Sequence, residues 1–204
     1  MKKQLLIVTV LIAAASAGFI ASQTVFAPQP PPVAYHGTTL SEPRPLPEFS
    51  LPAEDGAFTH TELQDNWSLV FFGFTHCPDV CPNTLFMLDK VVADIAARGN
   101  IAVPQVVFIS VDPQRDDPET TAKYARYFND DFIGVSGQGA NLNTVTQAMS
   151  VAYHYEESGD DYTVVHSSTV LLIDPQGRVH TIFTPPLNAD DITADLATII
   201  GTTE

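Results

Sequence analysis

The feature that most limits how this chain can fold is an apolar run that ends in a pair of cysteines. Ser68–Phe74 carries no charge, and Thr75-His76-Cys77-Pro78-Asp79-Val80-Cys81-Pro82 follows it directly. A short continuous apolar run of this kind reads as a strand buried on both faces of a sheet. Beyond it, Leu85, Leu88, Val91, Val92 and Ile95 repeat at helical spacing until Gly99 stops the pattern. The stretch therefore predicts a strand, a tight turn and a helix that starts at the cysteines. A four-residue step on a helix sets Cys77 and Cys81 on one face, about one turn apart. Unpaired N–H groups and the positive dipole end lower a thiol's pKa there. Pro78 and Pro82 suit a first turn, where the N–H they lack has no helical partner. Two activated thiols at the top of a helix are expected.

These are the only two cysteines among 204 residues, so any disulfide within the chain must join them. As a passive staple the pair would do little, because so short a loop removes little unfolded-state entropy. Disulfide exchange and the binding of a soft metal are the chemical alternatives.

The start of the chain predicts a membrane anchor. Lys2 and Lys3 precede a stretch without charge from Leu5 to Ala27, long enough to cross about 30 Å of hydrocarbon. Residues 1–27 read as an uncleaved signal-anchor, although Ala15-Ser16-Ala17 has the small residues of a cleavage site. The two lysines place the N-terminus inside and the remainder outside the cytoplasm. No cysteine follows the run to carry a lipid. Residues 28–47 hold prolines at 28, 30, 31, 32, 43, 45 and 47 and read as a semi-rigid spacer, with His36 solvated in it. The domain is expected over 48–204.

Within it, Phe49–Leu51 and Ala57–Thr59 flank Glu54-Asp55-Gly56 as an N-terminal β-hairpin, and Thr61–Leu63 makes a turn of helix. Gln105–Val111 is a second buried strand, Pro118–Phe128 a helix, Phe132–Val135 a short strand and Leu142–Met149 a helix. Val151–Tyr155 and Tyr162–Val165 form a hairpin, as do Val170–Ile173 and Arg178–Phe183 around Asp174-Pro175-Gln176-Gly177. Ala189–Ile200 is an amphipathic helix capped by Asn188. Strands alternating with helices, then a terminal hairpin and helix, specify an α/β fold with a mixed central sheet flanked by helices. A dithiol at the helix after the first central strand makes the layout thioredoxin-like, with the ligand site beyond the carboxyl ends of the strands.

Gly73–Pro82, together with Ser110-Val111-Asp112-Pro113-Gln114-Arg115-Asp116 and Val165-His166-Ser167, resembles the Sco/SenC family over roughly Pro47 to Ile200. Members are membrane-anchored copper proteins that take part in assembling cytochrome c oxidase. The resemblance implies that Cys77, Cys81 and His166 bind copper. One departure is Val165, where the family usually carries an acidic residue.

The residues support that implication on their own chemistry. Two thiolates and an imidazole make a soft three-donor set suited to Cu(I), and able to hold Cu(II) with an added oxygen ligand. A structural zinc wants four protein ligands, and only two cysteines exist. His166 stands before the strand Val170–Ile173, in the loop that faces the dithiol in this layout, where thiol oxidoreductases place a cis-proline; here the sequence is His166-Ser167-Ser168-Thr169. His76 is a candidate neighbour of the site, Asp79 a tuning charge or a solvated carboxylate, and His60, His154 and His180 ordinary. Asp112, Arg115 and Asp116 read as an internal salt bridge that shapes their loop or as a docking surface for a partner, with the structural reading preferred.

Two functions fit. One is a copper metallochaperone that loads the dinuclear copper centre of an oxidase subunit, supplied by a copper donor chaperone and kept reduced by a periplasmic thiol reductant. The other is a thiol-disulfide reductase acting through Cys77 and Cys81 on that subunit's cysteines. Both belong on the periplasmic side of the inner membrane. A net charge of −15 argues against nucleic acid and anionic lipid surfaces as partners.

Overall fold

The computed structural model describes residues 35–137, 139–158 and 161–201; the anchor expected over 1–27 lies outside them. In chain order the elements are β1 (Thr38–Pro45), β2 (Ser50–Ala53), β3 (Gly56–Thr59), a 3-10 turn (His60–Leu63), β4 (Ser68–Gly73), α1 (Val80–Arg98), β5 (Gln105–Ser110), α2 (Pro118–Arg126), β6 (Ile133–Ser136), α3 (Gly139–Ala148), β7 (Tyr153–Ser158), β8 (Asp161–His166), β9 (Val170–Ile173), β10 (Arg178–Phe183) and α4 (Ala189–Gly201).

All six residues of β4 are buried, as a run without polar alternation requires. It pairs parallel with β5 and antiparallel with β9, so it sits inside an eight-stranded sheet ordered β1-β10-β9-β4-β5-β6-β2-β3. β5 and β6 are also parallel, and their crossover is α2; the outer strands are antiparallel. Phe71, Phe72 and Phe108 are among the largest fully buried side chains, joined by Leu69, Val107, Ile109 and Leu171. Each such side chain stabilises the fold by about 1.5–3 kcal/mol relative to exposure. α1 buries Leu85, Leu88, Val91 and Ile95 and packs against α4, and α2 packs on β5 and β6.

Local chemistry sets the ends of these elements. Gly99 adopts φ 70° and closes α1, its N–H donating to Ala96. Asp117 caps α2 by accepting the Thr120 N–H at 2.7 Å, with Pro118 in the first turn. Asn188 accepts the N–H groups of Asp190 and Asp191 and caps α4, as expected.

Two departures from the sequence reading concern the edges of the fold. The spacer expected up to Pro47 instead gives β1, the edge strand beside β10. An edge strand tolerates proline because one side of its ladder has no partner. The register also breaks between Thr39 and Arg44, and Pro43 falls within that break. His36, expected to be solvated, is half-exposed but bonds through Nδ1 to the buried Asp195 of α4 at 3.1 Å. The hairpin expected of Val151–Tyr155 and Tyr162–Val165 forms as β7 and β8, a two-stranded sheet outside the main one.

Candidate metal centre

The strand β4 delivers its C-terminal end to a turn whose path is fixed by one buried carboxylate. Asp116, fully buried, accepts the Thr75 N–H at 2.9 Å, the Thr75 hydroxyl, and the Ser110 hydroxyl at 2.6 Å. The Cys77 N–H then donates to the Phe74 carbonyl at 3.2 Å, closing the turn. α1 begins only at Val80, so Cys77 lies just before the helix rather than within it, and Cys81 occupies its first turn. The first N–H groups of a helix have no intrahelical acceptor. One of them, the Cys81 N–H, donates to the Cys77 sulfur at 3.3 Å.

The two thiols consequently differ, where the sequence predicts two of one kind. Cys77 is lowered to about 4, chiefly by a hydrogen bond from the Cys81 thiol, with His166 and the Cys81 and Asp79 N–H groups adding to it against the cost of burial. Cys81 is fully buried and is pushed up, first by its role as donor to Cys77, then by burial and by the neighbouring thiolate's charge. At neutral pH the pair holds one thiolate that reaches solvent and one thiol that does not. Gly73 is part of this packing: a Cβ there would stand 2.7 Å from the Cys81 sulfur and 2.8 Å from the Phe108 ring.

His166 ends β8 and arrives from the other side. Its Nε2 is 3.6 Å from the Cys81 sulfur, and its Nδ1 is 3.1 Å from the Ser167 carbonyl. A carbonyl can only accept, so Nδ1 donates that bond, and Nε2 is the ring nitrogen turned toward the sulfurs. Phe74 and Phe71 meet the ring edge-on at 6.0 and 6.1 Å and fix its plane. The donor atoms of Cys77, Cys81 and His166 all lie within 4.8 Å of one another, the only such group of His, Cys, Asp and Glu among the described residues.

These donors fit a soft metal ion. Metal–sulfur and metal–nitrogen bonds of about 2.0–2.3 Å place donors around a three-coordinate ion roughly 3.7 Å apart. The separation of 3.6 Å between the Cys81 sulfur and His166 Nε2 is of that size. The thiolate already present at Cys77 supplies one of the three lone pairs without further proton loss, and the Nδ1 bond to the Ser167 carbonyl leaves Nε2 as the ring nitrogen facing the sulfurs.

The other sequence candidates fall outside this group. His76 bonds to the Thr75 hydroxyl at 3.1 Å and is 57% exposed. Asp79 is exposed and makes no capping bond with its side chain. His180 packs edge-on to Trp67 at 5.4 Å, and burial lowers its pKa. Asp112 and Arg115 do pair, as expected. Asp116 donates its N–H to the Asp112 carbonyl at 2.9 Å, while its carboxylate holds the cysteine turn, a role with no local signal because its partner Thr75 is 41 residues away.

A mixed sheet with flanking helices, a Cys-x3-Cys turn after the central strand and a histidine closing on it define a thioredoxin-like protein with a dithiol–imidazole site. The chain belongs to the SCO1/SenC family, whose model matches residues 38–201. It is 34% identical over 153 residues to the human mitochondrial protein SCO1 homolog, covering 74% of this chain and 51% of that protein. The chain thus spans about half the length of that relative. The solution structure of apo Sco1 from Thermus thermophilus superposes with a TM-score of 0.72 at 33% identity, covering 83% of this chain and 99% of that one. The crystal structure of Arabidopsis thaliana ScoI with copper bound gives a TM-score of 0.72 at 32% identity, covering 76% and 98%.

Proposed function

We propose that this protein is a membrane-anchored copper metallochaperone that carries copper on Cys77, Cys81 and His166 and delivers it to the dinuclear copper centre of a cytochrome c oxidase subunit. The observation that carries this reading is the convergence of two sulfurs and an imidazole nitrogen within 4.8 Å. Soft sulfur donors select Cu(I), and an imidazole lets the same site accept Cu(II) with an added oxygen ligand. The partly buried Cys77 is the sulfur an acceptor's ligand meets first, while the fully buried Cys81 retains its place. Residues 1–27 hold the protein in the inner membrane, with 35–201 on the periplasmic side. A donor protein supplies the copper, and a thiol reductant opens any Cys77–Cys81 disulfide formed in that oxidising compartment.

The same asymmetry of the thiols favours a second reading, a reductase of the subunit's cysteines. In it the Cys77 thiolate attacks a partner disulfide and Cys81 resolves the mixed disulfide, so that the partner leaves as a dithiol and Cys77–Cys81 is oxidised.

An anaerobic Cu(I) titration of the reduced protein against a competing chelator separates the two. The chaperone reading expects one tightly held ion per chain, loss of binding in Cys77→Ser or Cys81→Ser, and affinity weakened at least tenfold in His166→Ala. Absence of specific copper binding, with rapid exchange against a peptide disulfide, would establish the reductase in its place.

A further inference from the structure

Among the described residues β7 and β8 pair only with each other, from Tyr153 opposite His166 onward, and no ladder of the main sheet reaches His166. Other contacts must hold the hairpin against the dithiol. One comes from α3, where Asn143 accepts the Tyr153 hydroxyl at 2.9 Å; further ones come from the segment that follows β5, where the Val111 carbonyl accepts the Tyr155 hydroxyl at 2.9 Å. Asp112, fully buried, accepts the Arg115 Nε–H and the Tyr162 hydroxyl, the latter at 2.7 Å. Arg115 donates through Nη1 to the Tyr162 carbonyl at 3.1 Å, and its guanidinium lies 3.9 Å over the Tyr162 ring. The same guanidinium is 5.8 Å from the Phe74 ring, and Phe74 meets the His166 ring edge-on. One residue further, Asp116 holds Thr75 of the cysteine turn.

A single segment, Asp112–Asp116, thereby grips both halves of the site: the histidine hairpin through Arg115 and the cysteine turn through Asp116. We propose that Arg115, held by Asp112, is a positioning residue that sets His166 against the two sulfurs and so governs the share of metal affinity the histidine supplies. This inference rests on the metal-binding reading of the site. Arg115 touches none of the donor atoms in the contacts described; it acts through Tyr162 and Phe74. Arginine suits the task because its planar fork can bond a carboxylate and a carbonyl while stacking on a ring, which an ammonium group cannot do. When the grip loosens, the hairpin moves His166 away and the two sulfurs are left with the ion. The segment is thus a means of changing the ligand count without disturbing Cys77 or Cys81.

The test uses the full-length reduced chain with Arg115→Lys and, as a smaller change that removes one hydroxyl only, Tyr162→Phe. Cu(I) affinity should fall by about 10- to 100-fold in Arg115→Lys, the usual effect of losing a group that orients a ligand, and by less in Tyr162→Phe. In a His166→Ala background the Arg115→Lys change should alter affinity by less than about twofold, because the residue acts through the histidine. In the metal-free protein, amide hydrogen exchange at Val164 and Val165 should accelerate while that of β4 stays unchanged. An equal loss of affinity with and without His166 would overturn the proposal, as would unchanged affinity or exchange that rises equally in β4. If the parent chain binds no Cu(I), the metal reading fails and takes the affinity role with it; the exchange data then decide whether Arg115 holds the hairpin.

Discussion

At the scale of single residues, Cys77 and Cys81 stand one helical turn apart in sequence yet present different chemistry. Cys77, lowered to about 4, receives hydrogen bonds, while Cys81 donates one and lies against Gly73 and Phe108. One thiolate per metal-free chain is therefore expected through the neutral range. Its ultraviolet absorbance should be lost as pH falls through about 4, and it should vanish in Cys77→Ser but persist in Cys81→Ser at a higher midpoint. A midpoint near the ordinary thiol value of 9.0 in the parent protein would refute this arrangement. The depressed thiol also links stability to pH. Its contribution is full above the unfolded value of 9.0 and is lost as pH falls through the folded value of about 4. The raised Cys81 acts the other way above pH 9, where only the unfolded thiol ionises. The sequence carries the candidate donors: the Cys-x3-Cys turn is a local pattern, and His166 is singled out by its place in the thioredoxin-like layout and by the family resemblance. It does not carry the asymmetry, which depends on which sulfur faces the core.

At the scale of elements, β1 shows how a compositional reading goes astray. Proline-rich segments suggest a spacer, yet an edge strand with a register break accommodates Pro43 and Pro45. The start of the domain is also tied down at Gly37, whose N–H donates at 2.8 Å to Asp195, a carboxylate 3% exposed that also bonds His36. Removing these donors leaves a buried carboxylate unpaired, and removing β1 takes away Leu40, which packs against the core, and bares the edge of β10. A chain beginning at Leu46 should therefore be less stable by about 3 kcal/mol than one beginning at Tyr35. It should also self-associate through its bare edge. Urea unfolding and sedimentation of the two truncations measure both effects; equal midpoints would mean that β1 is an appendage. The interior strands β4, β5 and β9 were legible because uninterrupted apolar runs have few other uses in a chain of this length. The edges were not, since an edge strand need not look apolar.

At the scale of the whole molecule, the site is assembled from a turn, a helix and a separate hairpin that meet only in the folded chain. Cys81 and His166 are 85 residues apart, so an ion bound by both closes a long loop and pins the hairpin to the sheet. Binding to the folded state alone raises stability by RT ln(1 + [L]/Kd), about 4 kcal/mol when free ligand exceeds Kd a thousandfold. Affinity of the unfolded chain's own thiols for the ion subtracts from this. The subtraction is largely shared between the parent protein and His166→Ala, since both unfolded chains keep the two cysteines, and so their difference isolates the histidine. Anaerobic thermal unfolding with Cu(I) buffered by a chelator should raise the midpoint of the parent protein more than that of His166→Ala, and excess chelator should abolish the gain in both. Hydrogen exchange should slow in β7 and β8 on loading, and in the parent protein only. The mixed sheet and its order of helices could be read from alternating patterns, but not the separation of this hairpin from the sheet. Two-residue periodicity specifies a strand and says nothing of which edge it joins. An equal gain in the two proteins, with the hairpin's exchange unchanged, would mean that the ion is held by sulfur alone and that His166 has no part in carrying it.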